Sequence, residues 1–122
     1  MKDHLLCDTF FHYNNLVDLI LNTCHFPHFQ ICSKVRNENW QVVNHPDGAM
    51  GPYAFRGTQW VGYDDVATIR RKSEFIKAEG YGGGMIWALD LDDFRNVCGC
   101  EKYPLLRTIN RVLRDYPSPG NC

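Results

Sequence analysis

The chain is 122 residues long, with a formal net charge of −1, 44% hydrophobic residues and 13% aromatics. That is enough chain for one domain with an apolar core and no more. It carries no basic excess, which argues against nucleic acid as a partner, and no apolar run approaches the roughly 20 residues a membrane span needs. Six cysteines point to an oxidising compartment. The N-terminus is nevertheless a poor signal peptide, because Asp3 and Asp8 interrupt the apolar residues around Leu5-Leu6-Cys7.

Residues 1–30 differ from the rest. They hold four of the five histidines and no glycine. Leu16, Val17, Leu19, Ile20 and Leu21 suit a turn or two of amphipathic helix, and Pro27 is expected to end anything helical there. Residues 31–59 read as polar and turn-rich. Asn44-His45-Pro46-Asp47-Gly48 is a turn signal, flanked by short strands at Trp40–Val43 and Pro52–Phe55, and Arg56-Gly57 turns into a third strand over Gln59–Gly62. Asp64–Gly80 is the clearest helix, with Asp64 or Asp65 capping its first turn, Val66, Ile69, Ser73 and Ile76 on one face, and Gly80 as its stop.

Gly82–Phe94, GGGMIWALDLDDF, organises the remainder. Met85, Trp87 and Leu89 alternate with Ile86 and Ala88, so a strand here shows two apolar faces, as in a parallel sheet covered by helices. The glycines suit close backbone approach. Pro104 then opens a last helix with Leu105, Leu106, Ile109, Val112 and Leu113 as its apolar stripe, and Pro117 and Pro119 close it. Acids at a strand end tempt one towards a carboxylate pair or a cation site. For Asp90, Asp92 and Asp93 the expected role is instead capping of backbone N–H groups or pairing with arginine.

Gln59-Trp60-Val61-Gly62-Tyr63-Asp64-Asp65, followed one helix later by GGGMIWALDLDDF and by Tyr103-Pro104-Leu105-Leu106, resembles the end of family-18 glycoside hydrolases, the chitinases and their non-catalytic, lectin-like relatives. The wording is most like that of arthropod chitinases, and the resemblance runs from about Ile31 to Tyr116. It implies an α/β fold: the C-terminal fragment of a (β/α)8 TIM barrel (last helix, eighth strand, final helix) plus the second half of the α+β insertion domain that walls the cleft. The expected division is 1–30 unmatched, 31–62 the end of the insertion domain, 63–116 the closing barrel segment and 117–122 a tail. A whole barrel needs about 250 residues. For residues 1–30 two readings stand: an intron translated as protein, since Phe29-Gln30 is encodable as the intron end TTT-CAG, or a divergent N-terminus.

The resemblance implies that Trp87 floors the subsite of the sugar whose bond is cut and that Met85 lines the same pocket. It implies chitin or a chitooligosaccharide as partner, secretion of the parent protein, and no metal or organic cofactor. It also implies a Cys32–Cys98 disulfide, with Cys100 a close competitor and Cys100–Cys122 a plausible second bridge. The family's D-x-x-D-x-D-x-E proton-donor motif and its M-x-Y-D and G-x-P-x-Y-G-R segments have no counterpart here. Glu38, Glu74, Glu79 and Glu101 are the only glutamates, and none closes the donor spacing. No residue of this chain is therefore expected to be catalytic, and the chain by itself is expected not to hydrolyse chitin. Two alternatives remain: a sugar-binding protein that stacks ligand on Trp60, Tyr53 and Trp87, and a small module holding zinc through Cys24-His25-x-x-His28-x-x-x-Cys32, with Cys98-x-Cys100 completing or supporting the site.

Overall fold

A computed structural model describes residues 26–48 and 50–118. The chain enters through Phe26 and Pro27 into α1 (His28–Asn37), which precedes a three-stranded antiparallel sheet of β1 (Gln41–Val43), β2 (Tyr53–Arg56) and β3 (Gln59–Gly62) in sequential order. Then come α2 (Val66–Ala78), an irregular extended stretch, a 3-10 turn at Leu89–Leu91 and α3 (Pro104–Arg114).

Helix α1 was not legible as such. Pro27 starts it rather than ending helicity: its carbonyl accepts from the N–H of Gln30 at 2.8 Å and of Ile31 at 3.3 Å, and a residue without an N–H costs nothing at a helix entry. Ile31 is buried, and Val35, one turn on, packs beside it. The three strands appear where the turn signals put them. Ala54 pairs with Val61 and Phe55 with Trp60, and a two-residue loop with Gly57 at φ 61° joins β2 to β3. The pleat sends Ala54 and Val61 into a core shared with Ile31 and Trp40. It leaves Tyr53, Phe55 and Trp60 clustered on the other side, with Tyr53–Phe55 centroids 6.2 Å apart and Tyr53–Trp60 6.5 Å apart.

Helix α2 follows its sequence signals closely. The Asp65 carboxylate accepts from Thr68 N at 2.7 Å, capping the first turn. Asp64 is buried and instead takes Lys72 Nζ with both oxygens at 2.8 Å. At the other end Gly80 lies at φ 69°, its N–H donates to Lys77 O, and Tyr81 N donates to Ile76 O; this is a Schellman closure, which favours glycine at that position. Ile69 packs with Leu105 and Ile109 of α3 into a second small core, flanked by Val66, Ile86 and Leu113.

The strand expected over Met85–Leu89 is not formed. Residues 81–88 form no regular element and pair with no strand among the described residues. Their alternation survives: Ile86 turns inward to the α2–α3 core, while Met85 and Trp87 are each 73% exposed. A strand apolar on both faces requires hydrogen-bonding neighbours at its edges and a layer over each face, and here only one face is covered. The expected close approach at the glycines is met at Gly84 alone, where an added Cβ would lie 3.4 Å from Ile76; Gly82 and Gly83 have nothing within 4 Å.

Candidate functional site

Asp92 and Asp93, both fully buried at 0% exposure, set the geometry of the loop after the extended segment. The Asp92 carboxylate accepts from Asp93 N at 2.8 Å, from Leu105 N at 3.4 Å and from Leu106 N at 3.0 Å. It thereby caps the first turn of α3 from 13 and 14 residues away, because Tyr103, at the cap position, supplies no side-chain acceptor. The Asp93 carboxylate accepts from Val97 N at 2.9 Å and Cys98 N at 2.7 Å, folding 93–98 into a tight loop. Both acids are thus committed to backbone N–H groups. Asp90 is exposed. The structural role expected of Asp92 and Asp93 holds.

That loop delivers Cys98 to α1, where it forms a disulfide with Cys32 at a Cα–Cα distance of 5.4 Å. The pairing implied by the resemblance is present. Cys100 is also disulfide-bonded, and Cys122 lies outside the described residues. Arg36 of α1 donates to Val97 O at 2.9 Å and to Cys98 O, and Phe29 meets Phe94 edge to face at 5.9 Å. One turn before Cys32 on α1, His28 brings its imidazole to the same place; the ligating atoms of His28, Cys32 and Cys98 lie within 4.8 Å of one another. Burial holds the His28 pKa below its ordinary 6.5, against the opposing pull of Asp92, Asp93 and Asp65. His28 also lines an open groove with Asp65, Arg70 and Arg71. Of the zinc reading's four residues, Cys24 and His25 lie outside the described ones, and Cys32 is oxidised to a disulfide.

Met85 and Trp87 stand two residues apart in the irregular segment 81–88, each 73% exposed. Phe75 and Tyr81, with ring centroids 6.1 Å apart, and Leu89 add further exposed apolar surface around the same segment. A flat indole with both neighbours out of its way offers a stacking surface for an apolar ring face. The second aromatic surface is the outer face of β2 and β3, where Phe55 joins Tyr53 and Trp60; the sequence placed Phe55 on a strand without marking it.

The profile of Glycosyl hydrolases family 18 matches residues 8–92.

The chain belongs to that family.

The match begins at Asp8 and ends at Asp92, before α3, so residues 8–30 are matched, contrary to the expectation that 1–30 is unmatched. Among curated family-18 relatives, "Probable chitinase 10" of Drosophila melanogaster is 60% identical over 92 residues, covering 75% of this chain and 4% of that protein. The "Endochitinase" of Manduca sexta is 38% identical over 93 residues, covering 75% of this chain and 17% of that one. Among solved structures, catalytic domain 2 of the Ostrinia furnacalis Group II chitinase superposes with a TM-score of 0.76 at 46% identity, covering 80% of this chain and 26% of that domain. A human pseudo-chitinase described as having retained chitooligosaccharide binding properties superposes with a TM-score of 0.65 at 37% identity, covering 73% of this chain and 24% of that one. This family-18 chain therefore spans about a quarter of the solved domains it matches.

Proposed function

We propose that this family-18 chain forms the closing part of a chitin-binding cleft, with Trp87 as the platform for one N-acetylglucosamine ring and Met85 beside it. The observation that carries this reading is the exposure of both Met85 and Trp87 in residues 81–88. The related Ostrinia domain, 46% identical, has been crystallised with a chitooligosaccharide. In the whole protein, residues 31–62 end the insertion domain, residues 63–116 close a (β/α)8 barrel, and residues 81–88 gain the strand neighbours they lack among the described residues. The parent hydrolyses β-1,4 links of chitin using a glutamate that this stretch does not supply. The Cys32–Cys98 bridge supports a secreted parent.

Calorimetric titration of the purified chain with N-acetylglucosamine oligomers tests the platform. Trp87→Ala is expected to weaken binding by about tenfold, the size of one aromatic stacking contact, with no hydrolysis of the oligomers by either protein. Turnover by the chain, or binding indifferent to Trp87, would sink the reading. A second reading, a lectin-like protein, is favoured by the Tyr53–Phe55–Trp60 face. It predicts the opposite dependence: loss of binding in Trp60→Ala and none in Trp87→Ala.

A further inference from the structure

An open groove runs between the start of α1 and the first turns of α2, and the Trp87 surface has no share in it. Its walls are His28, Asp65, Val66, Ala67, Arg70 and Arg71. Its volume of about 650 Å³ falls in the range of small-ligand sites. Val66 and Ala67 supply apolar surface among groups that hydrogen-bond, which is the composition such sites have.

The two arginines set the sign of the groove. Lys72 and Lys77 on the same helix each hold an acid, Asp64 and Asp115, whereas Arg70 and Arg71 hold none among the described residues. Arg71 is nonetheless fixed in place. It donates to Thr68 Oγ1 at 3.3 Å, and the turn at Gly48 packs so closely on its guanidinium that a Cβ added there would lie 3.2 Å from the Arg71 Cζ. A guanidinium held in one pose with donors left over suits an oxyanion. The one carboxylate in the groove, that of Asp65, accepts from Thr68 N at 2.7 Å and so caps the helix; two positive charges face one negative. His28 adds an imidazole that makes no hydrogen bond among the described residues. Burial keeps it neutral at pH 7, with one N–H to donate.

We propose that this groove binds the oxyanion of a small acidic molecule, a carboxylate or a phosphate, on Arg70 and Arg71, with His28 donating a further hydrogen bond and Val66 and Ala67 lying against the rest of the ligand. The Cys32–Cys98 bridge stays closed throughout. Met85 and Trp87 take no part, so the groove holds its anion whether or not they bind sugar.

Acetate and inorganic phosphate are the probes, each titrated into the full, oxidised chain at constant ionic strength and followed by nuclear magnetic resonance of the His28 ring and the backbone amides of residues 65–71. Saturable shifts confined to those groups are expected in the millimolar range, and the anion bound more tightly names the headgroup. Arg71→Gln should weaken binding at least about tenfold, the worth of one hydrogen bond between charged groups. Arg70→Gln should weaken it in the same sense while leaving the Arg71–Thr68 contact intact. Lys102→Gln removes the same charge from an exposed position outside the groove and should change affinity by less than about twofold, because salt screens distant charges. Trp87→Ala should leave the anion affinity as it is. Shifts that never saturate, shifts spread over the surface, or losses in Arg70→Gln and Arg71→Gln no larger than that in Lys102→Gln would overturn the proposal.

Discussion

Asp92 shows how one buried carboxylate can hold several parts of a structure. It faces three N–H groups, two of them in the first turn of α3, and charged acceptors make stronger hydrogen bonds than neutral ones. Asp92→Ala strands those donors in a buried setting, and chemical denaturation should show a loss of about 3 kcal/mol. His28 makes a different statement. Its folded-state pKa is depressed below 6.5 chiefly by burial, so below that value the unfolded chain binds the proton more readily than the folded one. Stability is therefore complete above pH 6.5 and declines as the pH falls towards the folded pKa. Denaturation midpoints measured downwards from neutrality, at pH values above the carboxylate range near 4, should fall in the parent chain and stay flatter in His28→Gln. Asp92, Asp93 and Asp65, which pull the other way, are the charges that moderate the effect.

Elements that carry their own start and stop signals formed as read. Helix α2 has Asp65 at its entry and Gly80 at its exit, and both act within one turn of sequence. Asp65→Ala should cost about 1 kcal/mol, while Asp64→Ala removes the partner of Lys72 and leaves the cap intact; melting curves of the two variants separate these roles. The β2–β3 hairpin is local in the same sense, through Gly57 and its two-residue loop. Helix α1 was hidden because its signals are weak: Pro27 reads equally as a breaker or a starter, and no Ser, Thr, Asp or Asn stands at the entry. The strand expected over Met85–Leu89 fails for the opposite reason. Its residues do have the two-faced pattern of a strand, but pairing is a property of two chains segments, and the partner edge is not among the described residues.

At the scale of the molecule, two small cores stand side by side, one under the sheet and one between α2 and α3. The Cys32–Cys98 bridge closes a separation of 66 residues and ties α1, beside the first core, to the loop leading into α3. A loop of that length should stabilise the fold by about 4 kcal/mol on chain-entropy grounds, and comparison of denaturation curves with and without reductant measures it. A shift far below that size would mean that Arg36 and Asp93 already hold the loop. The exposed surface of Phe75, Tyr81, Met85, Trp87 and Leu89 is an apolar area of the kind that proteins normally cover.

The sequence by itself determined what is local and covalent: the caps, the hairpin, the helical faces, the acids that serve backbone N–H groups, and a motif wording specific enough to identify the family. Side-chain chemistry within a few residues governs all of these. Tertiary structure alone decided that Trp87 is bare rather than buried, that Pro27 opens a helix, and that His28 meets Cys32 and Cys98. Each of those depends on which distant segment lies alongside, and the pattern of one segment cannot state what its neighbour supplies.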